Sequence, residues 1–173
     1  MSMNLVLCGG YRLHLLQQFA KEYEHILMFE PNEQMVHMDA PEKVTWIRAA
    51  AWTKNEMKRF WVDDKGYSSS LLEYKTTRGT RSEWADSYEV VCTDLAEWLP
   101  HAGKCDMCMD IEGAEYDVLP HLLDNYSCLK DLQHIKIEWH GNRIGMSQFE
   151  ADTCRTNITA RLEALGIEVT TER

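Results

Sequence analysis

The stretch Cys105-Asp106-Met107-Cys108-Met109-Asp110-Ile111-Glu112-Gly113-Ala114-Glu115 decides how this chain folds. Residues 105–111 read as a buried strand, and residues 114–124 continue as a helix with Val118, Leu119, Leu122 and Leu123 at helical spacing. Three carboxylates, Asp110, Glu112 and Glu115, crowd the passage between the two. Acids near a helix N-terminus are favoured by its dipole, and that accounts for Glu115. It accounts poorly for Asp110, which still belongs to the strand, where an unpaired carboxylate is expensive to bury. An amino group on a ligand would relieve that cost.

Outward from this unit the same alternation recurs. Residues 4–8 are a short apolar run ended by Gly9-Gly10, and Leu13, Leu16, Ala20 and Tyr23 then form a helical stripe. Residues 25–29 are a second strand, closed by Glu30-Pro31-Asn32. Residues 43–50 read as a third strand and 58–62 as a fourth, a candidate hairpin pair. A polar excursion, 63–86, precedes a strand at 88–92 and a short helix that Thr93 or Asp94 caps, with Leu95, Trp98 and Leu99 inward. After a strand at 133–139, Ser147 and Glu150 form a capping box. It opens a helix with Ala151, Cys154, Ile158, Leu162 and Leu165 on one face, ended by Gly166, and 167–170 offer a last strand. The pattern predicts a single α/β domain over residues 1–173 with a Rossmann-like, doubly wound, mostly parallel sheet.

Composition bounds the partners. With 173 residues, 45% of them apolar and 27% charged, the chain can bury its own core. A formal charge of −10 disfavours a nucleic-acid partner, and the one basic stretch, Thr76-Thr77-Arg78-Gly79-Thr80-Arg81, reads as a solvated loop. No apolar run approaches the roughly 20 residues of a membrane span. The N-terminal run Met1 to Leu7 is too short and uncharged for a signal peptide, so a cytoplasmic chain without a membrane partner is expected. Cys105 and Cys108 form a C-x-x-C pair, but residues three apart on a strand face opposite sides. No second pair lies at zinc spacing, so buried reduced thiols are expected and no constellation demands a metal.

In doubly wound sheets ligands bind outside the carboxyl ends of the strands. Gly9 and Gly10 end the first strand, where the lack of a Cβ permits a tight turn and close approach to a ligand. Glu30 ends the second, where an acid can accept hydrogen bonds from both ribose hydroxyls of a nucleoside. Asp110 ends the strand quoted first. Glu138 and His140 end the next and point to one side, and a histidine there suits proton abstraction from a hydroxyl.

Taken in order, Phe29-Glu30-Pro31-Asn32, Ala49-Ala50-Ala51-Trp52-Thr53, Ser68-Ser69-Ser70-Leu71-Leu72, Thr93-Asp94-Leu95, Asp110-Ile111-Glu112-Gly113-Ala114-Glu115 and Glu138-Trp139-His140 resemble the motifs of FkbM-family methyltransferases. The resemblance spans residues 5–169. It implies a class I methyltransferase fold, shortened at the N-terminus, that moves a methyl group from S-adenosyl-L-methionine to a hydroxyl of a sugar or other small molecule. On that likeness Gly9 and Gly10 sit beside the methionine part, Glu30 binds the ribose, and Ala51 contacts the adenine side. Ser69 and Ser70 line the pocket, and Asp110 lies near the reacting methyl. His140 is the expected base, Glu138 its orienting partner and Asp110 the second candidate. The acceptor is a small molecule or glycan, which Trp52, Trp61, Tyr67, Tyr74 and Trp84 suit by stacking, although packing is the default use of such rings.

The first strand departs from the family pattern D-x-G-A-N-x-G: the chain reads Leu7-Cys8-Gly9-Gly10-Tyr11-Arg12-Leu13. On the resemblance, the helix that usually covers the cofactor is expected to be absent or supplied by a partner, and a homo-oligomer is compatible with that. Two other readings follow from these residues. One is a domain of the same fold that binds without turnover. The other is a nicotinamide-dependent oxidoreductase, which shares the glycine turn and Glu30 but lacks a full G-x-G-x-x-G.

Overall fold

The computed structural model describes residues 3–9, 13–33, 40–63, 68–73, 76–77, 80–81, 86–141 and 144–172. Six strands make the main sheet: β1 (Asn4–Cys8), β2 (Ile26–Phe29), β3 (Val44–Ile47), β9 (Cys105–Met109), β10 (Leu132–Glu138) and β11 (Glu168–Glu172). Their spatial order is β11-β10-β9-β1-β2-β3, and every pairing is parallel. From the central pair β1 and β9 the chain winds outward in opposite directions. Crossovers of one hand then place helices on opposite faces of the sheet, and the core divides accordingly. Leu5, Leu7, Ile26, Met28 and Cys108 pack with Leu16 of α1 (Leu13–Glu22) on one face. Val6, Cys8, Phe29, Met107 and Ile135 face the other way. There they meet α2 (Leu95–Ala102), α3 (Glu115–Asp124) and α4 (Gln148–Ala164).

Local chemistry sets the helix ends. Asp94 is the N-cap of α2, its carboxylate accepting from the Ala96 N–H at 2.9 Å. The Ser147–Glu150 capping box opens α4. At its other end Gly166, at φ +81°, donates to Glu163 O while Ile167 donates to Leu162 O, the paired bonds of a Schellman stop. Leu165, expected on the buried face, is exposed because it is the C-cap residue of this stop.

One expectation is corrected. Residues 43–50 are not one strand, and the strand expected at 58–62, which begins at Glu56, does not pair with it as a hairpin. The Ala49 N–H donates to Ile47 O at 2.8 Å, a tight turn that splits the run into β3 and β4 (Ala50–Trp52). β4 and β5 (Glu56–Val62) both pair with β8 (Asp86–Asp94), the first parallel and the second antiparallel, in a separate three-stranded sheet. Within the polar excursion two short strands, β6 (Thr76–Thr77) and β7 (Thr80–Arg81), pair antiparallel, so these residues of the basic stretch are paired strand.

Cys105 and Cys108 lie in different halves of the core, on opposite sheet faces, and neither is in a disulfide. Five of the six free thiols are buried, and only Cys154 is partly exposed. Burial pushes the Cys92 and Cys128 thiols up to about 11 and Cys105 up to about 12. A thiol reagent at pH 8 is therefore expected to label one cysteine promptly in the native chain and six in guanidinium. Prompt labelling of three or more native thiols contradicts this packing. Among the described residues no helix is long and apolar enough to cross a membrane.

Candidate active site

The switch point between β1 and β9 brings distant residues together. Gly9 donates its N–H to Phe29 O at 3.0 Å, and Asp110 donates to Cys8 O at 2.9 Å, so the ends of β1, β2 and β9 lie side by side. A narrow cleft with about 550 Å³ of empty space, its open mouth included, lies over these ends. Gly9, Glu30, Ala51, Ser69, Ser70 and Asp110 all line it, with Phe29, Phe60 and Leu71 as apolar wall. Gly10 falls outside the described residues, as do Tyr67, Tyr74 and Trp84. Trp52 is buried, with its N–H donated to Glu56, so it serves packing.

Each lining residue is held by its own element. Ala51 is fixed by the register of β4 on β8, opposite Thr93. Ser70 reaches the cleft through two backbone bonds with Trp61, of 2.8 and 2.9 Å. Its hydroxyl then donates to Glu112 O at 3.0 Å, tying this segment to the turn after β9. Glu30 is 5% exposed, and its Oε1 accepts from the Asn32 N–H at 2.6 Å. That bond folds the acid back over its own turn and fixes where it faces.

Asp110 has two sides. Its side chain is 32% exposed, yet Oδ1 is buried and has no hydrogen-bond partner. Burial pushes the carboxyl up to about 7; the His140 charge opposes this, while Glu138, Glu112 and Glu115 add to it. β9 ends at Met109, two residues before the expected strand end, so Asp110 lies just beyond the strand, where Oδ1 is nevertheless buried without a partner.

Behind Asp110 lies a cluster of which Glu112 also lines the cleft, while His140, Glu115 and Glu138 do not. His140 is 3% exposed, with Nε2 at 3.8 Å from Asp110 Oδ1, 3.9 Å from Glu112 Oε2 and 3.4 Å from Glu138 Oε1. None of these is a hydrogen bond, and Nε2 has no partner. Nδ1 is 3.0 Å from Glu115 Oε1. A carboxylate only accepts, so Nδ1 carries the proton. The residue that orients His140 is therefore Glu115 rather than Glu138, which sits at the opposite ring nitrogen. Glu115 is fully buried and also accepts from the Ile111 and Gly113 N–H groups, both at 2.9 Å. Burial opposes a charge on His140, but the Glu115 bond and the Glu115, Glu112 and Asp110 charges outweigh it, raising the ring to about 9. Glu112 adopts φ +56°, a conformation side chains rarely take, which turns it inward.

No family model matches the chain, and no curated protein or solved structure matches it either. What the cleft does must be argued from its own residues. Sequence reasoning missed Glu115, since an acid at the start of a helix reads as a dipole or capping residue. The signal available was its place two residues after Gly113, facing N–H groups that a turn leaves open.

Proposed function

We propose that this chain is a class I, FkbM-like methyltransferase that binds S-adenosyl-L-methionine in the cleft and methylates a hydroxyl of a small molecule or glycan. One observation carries the reading: Glu30 and Asp110, eighty positions apart, border the same cleft at the topological switch point, with Gly9, Ala51 and Ser70 between them. Glu30 would accept from the ribose hydroxyls and the exposed side of Asp110 from the amino group of the methionine part. Phe29, Phe60 and Leu71 offer apolar contact to the adenine. The cofactor's positive sulfur already activates the methyl group, so the protein's main task is alignment, a contribution of roughly 7–11 kcal/mol in favourable cases. Of Asp110, Glu138 and His140, Asp110 alone borders the cleft, and proton uptake from the acceptor falls to it, since an imidazole raised to about 9 already carries its proton near neutral pH.

Calorimetric titration with S-adenosyl-L-methionine tests this. One site per chain is expected, with a melting point raised by roughly 5–10 °C at a hundredfold excess over Kd. Glu30→Ala is expected to lower affinity at least tenfold. No uptake by the wild type, or unchanged uptake by the variant, overturns the reading. Uptake without methyl transfer to any acceptor, followed by mass spectrometry, moves it to a binding domain.

A further inference from the structure

Two buried polar atoms face each other without partners, Asp110 Oδ1 and His140 Nε2, 3.8 Å apart. That distance is too long for a hydrogen bond, and an orphaned buried polar atom is uncommon enough to require an explanation. Four carboxyl groups, of Asp110, Glu112, Glu115 and Glu138, surround the one imidazole. One ligand atom each from Asp110, Glu112 and His140 can be chosen so that all lie within 4.8 Å of one another. Donors bound about 2.1 Å from a common cation stand roughly 3–4 Å from each other, the spacing seen between His140 Nε2 and its three facing oxygens.

We infer that Asp110 Oδ1, Glu112 and His140 Nε2 hold one divalent cation, with Glu138 at its edge. The second layer fits as well. A ligating histidine usually donates its other ring N–H to a carboxylate, which fixes the tautomer and turns the free lone pair to the metal. Glu115 does this for His140, and is itself immobilised by two backbone N–H groups. Glu112, held at φ +56°, brings a third donor to the same point, 3.9 Å from His140 Nε2. A nitrogen with two or three carboxylate oxygens and no thiolate selects borderline cations of the Mn²⁺ to Zn²⁺ kind over Ca²⁺ or Cu⁺. Asp110 and Glu112 also line the cleft, so the cation sits at its wall; the inference rests on the donor set and not on the methyl-transfer reading. Where both hold, the cation supplies a Lewis acid beside the cleft.

The chain, stripped with a chelator and free of S-adenosyl-L-methionine, is titrated with Mn²⁺ while the spin resonance of the free ion is followed. One equivalent is expected to disappear per chain, and Zn²⁺ to displace it. Asp110→Asn and Glu112→Gln are expected to weaken uptake at least tenfold each. Should either variant unfold, ring-nitrogen NMR of the wild type decides without it: Zn²⁺ is expected to shift Nε2 of His140 and leave Nδ1 protonated. No uptake at millimolar Mn²⁺ or Zn²⁺, uptake unaltered in folded variants, or an unmoved Nε2 resonance overturns the site. Because no cofactor is present, failure of cofactor binding cannot be mistaken for failure here.

Discussion

Gly9→Ala is expected to destabilise the chain by about 3–5 kcal/mol, enough to lower its melting point by roughly 10 °C. Two costs add. Gly9 sits at φ +105°, which an alanine adopts only under strain. A Cβ built there would also overlap the carbonyl oxygen of Asp110, and that atom is backbone, anchored by the bond from Asp110 N–H to Cys8 O. No side chain can swing aside, so the two central strands must separate. Gly166→Ala is the control. It has a similar φ of +81° but nothing within 4 Å of the added carbon, so only about 1 kcal/mol is expected. Thermal denaturation of the two variants side by side decides the matter: equal losses would mean that conformation, and not the contact with Asp110, dictates glycine at the end of β1.

That contact also changes why the glycine is there. Read from sequence, Gly9 makes room for a ligand. In the fold it first makes room for Asp110, and the cleft follows because the two strand ends are packed together. The residue was legible, while its nearest neighbour, a hundred positions on, was not.

The same division runs through the molecule. Element boundaries were legible where local chemistry marks them: Gly9 after an apolar run, Pro31 after Glu30, the Ser147–Glu150 box before α4. The opposite-face placement of Cys105 and Cys108 followed from the two-residue period of a strand. The second sheet was not legible, since residues 43–50 carry no Gly, Pro, Asn or Asp to mark a break and the turn at Ala49 is required only by β8, roughly forty residues later. Nor was the pairing of Glu115 with His140. Each residue has a satisfactory local explanation, as a helix-start acid and as a loop histidine. Only the fold reveals that a parallel crossover from α3 to β10 buries them against each other, 3.0 Å apart. The carboxylate of Asp110 lies between these cases. Its burial cost could be argued from position alone, but the atom it faces could not.

Glu115→Gln is expected to be as damaging as Gly9→Ala, and to change how stability responds to pH. The substitution keeps the volume but cannot match the carboxylate: an amide has one acceptor oxygen for the three donors of Ile111, Gly113 and His140. Breaking a buried pair by removing one partner costs about 3–5 kcal/mol. In the metal-free wild type His140 binds its proton more tightly folded than unfolded, at about 9 against 6.5. Its contribution is therefore complete below pH 6.5 and is lost as the pH rises through about 9, a change of about 3 kcal/mol. Asp110 acts with the same sign at lower pH, since its carboxyl, raised from 3.8 to about 7, favours the folded state only while protonated. Melting points recorded in chelator are thus expected to fall from pH 6.5 to 9 in the wild type and to stay nearly level over that window in Glu115→Gln, where the hydrogen-bonded anion that holds the imidazolium is gone. A wild-type profile that is flat or rises with pH, or a variant that keeps the full slope, would show that Glu115 fills space beside His140 without governing its charge.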